Sequence, residues 1–148
     1  MREILFKGKR KDTGEWVEGY YGQFHNRPYS GEKNSHQIFE PREDARFLGS
    51  AIGGLWHVVD PATVGQYTGL TDKNGKKIFE GDIVRARDDV FGSPFCNGIV
   101  GKVTYEEAAF FIETPNVIDS QYLFNECAVY EIIGNIHDNP ELMKGGAE

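Results

Sequence analysis

A chain of 148 residues with 16 Lys and Arg against 23 Asp and Glu has a formal net charge of −7. That length allows one domain or two very small ones, and a core that needs neither disulfides nor a structural metal. Hydrophobic residues at 39% and charged ones at 26% argue against wholesale disorder, and the acidic balance argues against non-specific binding to a phosphate backbone.

Alternation is the dominant pattern. Ile4-Leu5-Phe6 and Trp16–Tyr21 flank Asp12-Thr13-Gly14, which predicts two strands closed by a turn. Lys7, Lys9, Arg10 and Lys11 beside that turn are expected to be solvated charge. Residues 25–36 carry nearly every turn former and are expected to form an exposed loop, with Gln37-Ile38-Phe39 a short strand before Pro41. Gly49–Gly54 is flexible by composition and separates this block from the rest. Trp56–Val59 predicts a strand ending at Asp60-Pro61, and Val64–Leu70 another. Asn74-Gly75 within Asp72–Lys76 predicts a two-residue type I′ hairpin turn returning into Ile78-Phe79. Strands are then expected at Asp82–Arg87, Ile99–Tyr105, Ala109–Glu113 and Val129–Ile133. A loop is expected over 88–97, and a hairpin turn at Glu106-Glu107. Asn139 and Pro140 would start a single helical turn through Met143.

Charge is uneven along the chain: residues 1–48 hold nine basic and eight acidic side chains, and residues 88–148 hold two and eleven. The apolar runs are too short for a transmembrane helix, which needs about eighteen residues, and the N-terminus lacks a signal-peptide core. Cys96 and Cys127 have no C-x-x-C partner or histidine at ligand spacing, so reduced thiols in a cytoplasm are expected.

Chemistry is sought and mostly not found. Asp72–Gly75 begins like a calcium loop, but Gly comes too early and Ile83 stands where a bidentate Glu belongs. His25, His36, His57 and His137 show no zinc-ligand spacing, although His25 and His36 would be neighbours across the expected loop. Glycine loops for phosphate and a G-x-S-x-G elbow are absent. Asp88-Asp89, Glu106-Glu107 and Glu80-Gly81-Asp82 fit turns, and Asp82 is expected to accept backbone N–H groups. The residues therefore predict no enzyme, no cofactor and no metal site.

Three stretches resemble the YopX-like proteins of phages and prophages. They are Phe6–Arg10 with Gly14–Gly19; Val64–Val84, the most specific; and Glu131–Leu142. The resemblance spans nearly the whole chain apart from residues 25–55 and 88–97. It implies a small, mainly β fold encoded in phage DNA, with no established activity, cofactor or catalytic residue to carry over. Together with the pattern above, the expected architecture is an N-terminal β-hairpin region with a long loop (1–60) and a small SH3-like barrel (61–148) ending in a short helical turn.

The first function expected is a non-enzymatic accessory module that binds a bacterial host protein or assembles with itself as a homo-oligomer. Small β modules present open edges and aromatic loops to partners. Phe24, Tyr29, Phe91 and Phe95 are the exposed-loop aromatics for such contacts, and Tyr67 and Thr68 are positions that turn chemistry leaves unexplained. The alternative is a single-strand nucleic-acid binder, which the scarcity of basic residues disfavours. No membrane association is expected.

Overall fold

The computed structural model describes residues 1–25, 34–42, 53–93, 95–115 and 120–144. The chain divides into two compact units, Met1–Gln66 and Tyr67–Glu148, with the division inside a strand. The expected flexible Gly49–Ile52, Tyr29 and the middle of the 25–36 loop lie outside the described residues.

The first unit is antiparallel. β1 (Phe6–Lys9), β2 (Trp16–His25), β3 (Asn34–Pro41) and β4 (Gly54–Val58) lie in the order β4-β3-β2-β1, and the first residues of β5 (Gly65–Thr71) join β1. The predicted first hairpin is present, with Lys9 opposite Trp16 and Gly14 in the left-handed region. Its first strand begins later than Ile4. Leu5 is buried without pairing, so its burial rather than a ladder explains the apolar start.

The expected loop at 25–36 is corrected at both ends. Phe24 and His25 belong to β2, and Asn34, Ser35 and His36 belong to β3. These polar residues sit in strands because their side chains find partners. Gln37 Nε2 donates to Ser35 Oγ at 2.9 Å, with both residues buried, and the Tyr21 hydroxyl meets His36 Nδ1 at 2.5 Å. Phe24 is half-buried against Trp56 in a T-shaped contact, not a loop anchor.

The sheet curls until β4 runs back to β1. Arg10 bridges Val59, Lys11 N–H donates to the Val58 carbonyl at 3.0 Å, and Asp60 N–H donates to the Lys9 carbonyl at 2.8 Å. Val17, Ile38 and Val59 fill the interior, with Phe6, Tyr21 and Val64 packed against them. The curl needs a bare backbone at Gly19, where a Cβ would stand 1.9 Å from the Phe39 carbonyl oxygen. A short 3-10 turn, Pro61–Thr63, leads into β5, capped by Asp60 Oδ1 accepting from Ala62 N–H at 3.0 Å.

In the second unit β5 continues and pairs with β6 (Lys77–Phe79). A five-stranded antiparallel sheet follows. Its strands are β7 (Asp82–Arg87), β8 (Ile99–Glu106), β9 (Ala109–Glu113), β10 (Gln121–Tyr122) and β11 (Val129–Asn135), in the order β10-β9-β8-β7-β11. The mainly β class holds, but the edge strands β10 and β11 do not pair with each other, so the sheet is open where a closed barrel was expected. The two-residue length of β10 offers too little ladder for closure.

Alternation along the strands packs Val84, Ala86, Val103, Ile112 and Tyr130 inward with Ile78, Phe95 and Leu123. Phe95 is therefore core and not an exposed aromatic: the 88–97 loop folds back, with Asp88 N–H donating to the Phe95 carbonyl at 3.2 Å.

Two turns differ from expectation. Asn74 is not left-handed. Gly75 alone has φ +79°, its N–H donates to the Asp72 carbonyl at 3.0 Å, and Asp72 N–H donates to the Lys76 carbonyl at 2.8 Å. This is a three-residue loop, a type I turn followed by a left-handed glycine bulge, instead of the two-residue type I′ turn. The β8–β9 turn lies one residue later than expected, at Glu107 and Ala108, with φ of 48° and 64°. Both lie in the region non-glycine residues avoid. The final 3-10 turn, Pro140–Met143, matches the expected helical turn, although Asn139 makes no capping hydrogen bond and packs its side chain against Gly134.

Candidate binding surface

Three aspartates of the second unit accept backbone N–H groups of their own turns. Asp72 is buried and its Oδ1 accepts from Asn74 N–H at 2.8 Å and Lys76 N–H at 2.9 Å, while Oδ2 accepts from Ile132 N–H at 3.3 Å. Burial alone would raise the Asp72 pKa, but the N–H groups of Lys76, Asn74 and Ile132 together hold it below the ordinary value of 3.8. Lys73 N–H also donates to the Tyr130 carbonyl at 2.8 Å, so this turn covers part of the outer edge of β11. Asp82 Oδ2 accepts from Phe79 N–H at 2.8 Å, as expected, and Asp88 accepts from Val90 N–H and the Ser93 hydroxyl. The Tyr130 hydroxyl donates to the Leu123 carbonyl, and burial pushes its pKa up to about 12.

Among the described residues no group of three or more His, Cys, Asp or Glu side chains converges as a metal site. His25 and His36 lie on the same pair of strands but take different partners, Asn34 and Tyr21. His57 Nε2 meets Glu40 Oε2 at 2.8 Å. Cys96 is half-buried, Cys127 is exposed, and neither is disulfide-bonded.

The sequence-derived candidates separate sharply. Tyr67 is buried, its ring 5.6 Å from that of Phe79, with Lys77 Nζ over its face. Thr68 Oγ1 donates to the Ile78 carbonyl at 2.8 Å and accepts from Leu70 N–H at 3.2 Å. Both positions thus have structural duties, and the hydroxyl of Thr68 holds β5 to β6. Phe95 is buried. Phe91 alone of the four stands fully exposed, beside half-exposed Val90.

Sequence reasoning missed the aromatics at β9 and β10. Tyr122 is 65% exposed and Phe124 68% exposed. Tyr122 lies opposite Phe111, with ring centroids 4.7 Å apart. A strand of two residues gives no alternation to read, so the exposure of Tyr122 had no sequence signal. Farther along the outer face Lys102 pairs with Glu113 at 3.2 Å, and Glu131 is shared by Lys73 at 3.0 Å and Arg85 at 3.3 Å. The hydrogen bond from Lys73, helped by Arg85, keeps Glu131 below its ordinary pKa. A half-open hollow of about 530 Å³ lies along β7 and β11, lined by these Lys73, Arg85 and Glu131 side chains with Arg87, Asp89 and Cys127 among its walls.

A family model described as YopX protein matches residues 5–144. Among solved structures, protein EF1440 from Enterococcus faecalis is 25% identical, with a TM-score of 0.52 over 97% of this chain and 100% of that one. Protein yopX from Bacillus subtilis shares the fold at 15% identity, with the same TM-score of 0.52 and the same coverage of 97% and 100%. No curated protein matches the chain.

Proposed function

Because the chain belongs to the YopX family, we propose that it is a non-enzymatic accessory protein, carried in phage or prophage DNA, that binds another protein in the bacterial cytoplasm. The observation that carries this reading is the exposure of Tyr122, whose ring lies against Phe111, and of Phe124 two positions on. Large aromatics that stay in water are the side chains from which protein interfaces draw most of their energy. Support for a non-catalytic role comes from Asp72, Asp82 and Asp88, whose oxygens are taken up by their own turns.

A nucleic-acid reading draws on one specific feature. Lys7 and Lys9 hold their ammonium groups 5.0 and 5.6 Å from the centre of the Trp16 ring, a small basic and aromatic face on the first unit. With nine basic residues against nine acidic ones, that unit lacks the positive excess a phosphate backbone attracts.

The test is capture of partners by the tagged full chain from bacterial lysate, with and without nuclease, beside a Y122S/F124S variant. A stoichiometric protein that survives nuclease and is lost from the variant is the expected result. Loss of everything on nuclease treatment overturns the proposal in favour of nucleic acid. Recovery of no other protein overturns it.

A further inference from the structure

Strand β7 lies between β8 and β11, and its alternation sends Arg85 and Arg87 to the outer face, two positions apart. Beside them, toward β8, is a second half-open hollow of about 440 Å³, lined by Arg85, Arg87, Cys96, Asn97, Gly98 and Val100. None of these described lining residues is a carboxylate, although the unit holds seven basic side chains against fourteen acidic ones. Positive charge has been gathered here against the trend of the whole unit.

The donors in this hollow exceed their acceptors. Arg87 makes no ion pair, and the Asn97 amide no hydrogen bond, among the described residues. Arg85 gives Nη1 to Glu131 at 3.3 Å, which leaves the remaining donors of its guanidinium fork. The acid next to Arg87, Asp88, is buried and turned into its own loop by Val90 and Ser93. Asp89 lines the other hollow, on the β11 side.

We propose that this hollow binds a small phosphate-bearing anion, held between the guanidinium groups of Arg85 and Arg87 and the side-chain amide of Asn97. A tetrahedral dianion presents acceptors to two arginine forks at once, whereas a single carboxylate fills one. Both arginines rise from a strand paired on either side, so the donors are placed before the ligand arrives. Val100 and Gly98 form a wall that takes a small attached group.

The experiment is a titration of the isotope-labelled full chain with inorganic phosphate at constant ionic strength, followed by amide and arginine side-chain resonances. Saturable shifts at Arg85, Arg87, Asn97 and Gly98 are expected, with alkylation of Cys96 slowed and that of Cys127 unchanged. R87Q should weaken binding about tenfold or more, the loss of one charge-assisted contact. N97A should weaken it less, and K144Q, remote in sequence from the hollow, should leave it unchanged. Amide dispersion reports whether R87Q folds, and N97A carries the test if it does not. Non-saturating shifts spread over all basic residues, or undiminished binding by folded R87Q and N97A, overturn the proposal. Acetate saturating the same resonances as tightly as phosphate overturns its choice of ligand.

Discussion

In the second unit the aspartates that hold loops are buried, whereas in the first the turn-capping Asp12 and Asp60 are exposed and two half-buried polar contacts are made by imidazoles. Asp72 ties Asn74, Lys76 and Ile132 together, and Asp82 holds Phe79. The first unit instead sets Tyr21 on His36 and Glu40 on His57, and passes the backbone of Gly19 beneath the Phe39 carbonyl. Among the described residues, the core cluster around Val84 in the second unit has eight buried members and that around Ile38 in the first has three. The chain's entire net charge of −7 falls in the second unit. A small curled sheet with little core depends on backbone contacts between strands distant in sequence, while a larger core lets short polar turns do the local fixing.

The largest effect is expected at Gly19. A Cβ there would lie 1.9 Å from backbone, which cannot swing aside as a side-chain tip does. G19A is expected to cost more than about 4 kcal/mol and to abolish the β2–β3 pairing, read by urea denaturation and amide exchange in Tyr20–Phe24. Retention of near-normal stability would mean that the first unit tolerates a wider strand separation than this account allows.

The matching probe in the second unit is D72A, expected to cost about 2 kcal/mol by removing the charged acceptor shared by three part-buried hydrogen bonds. It also fixes a pH dependence. The folded-state pKa of Asp72 lies below the unfolded value of 3.8. Its contribution is therefore complete above that value and is lost as the pH falls through the lowered one. The stability gap between the original chain and D72A should shrink in that acid range, measured by denaturant midpoints at stepped pH. A gap that stays constant would remove the carboxylate's charge from the explanation.

Legibility from sequence divides the same way. Asp82–Arg87 was readable to the residue because Val84-Arg85-Ala86-Arg87 alternates just after the Gly81 turn, and the turns at Gly14 and Gly75 announced themselves through glycine. Even so, the loop type at Asp72–Lys76 was misjudged, because the Asn-Gly pair suggested a two-residue turn while Asp72 Oδ1 accepts from both Asn74 and Lys76 N–H and so holds a three-residue loop. Asn34–His36 looked like loop for a related reason. Polar residues in a strand are intelligible only once their partners across it are known. Phe91 is exposed, as its glycine-containing loop implied, while Phe95, four residues on, is drawn into the core by tertiary packing that composition does not reveal.

Smaller effects sharpen the picture. Replacing the left-handed Glu107-Ala108 pair by Asn-Gly should stabilise the second unit by about 1 kcal/mol, because that pair suits a two-residue hairpin turn. The shift would appear as a raised denaturation midpoint with unchanged slope. F91S should change stability by less than about 0.5 kcal/mol, since the ring is fully exposed. Any larger loss would assign Phe91 a packing role.

One binding measurement sets the two units against each other. Partner retention from nuclease-treated lysate would be quantified for the original chain, for Y122S/F124S in the second unit and for K7Q/K9Q in the first, all as full chains checked for folding. The account predicts that Y122S/F124S loses the partner and K7Q/K9Q keeps it. Loss with K7Q/K9Q and full retention with Y122S/F124S would contradict it, and would move the binding surface to the basic, tryptophan-bearing face of the first unit.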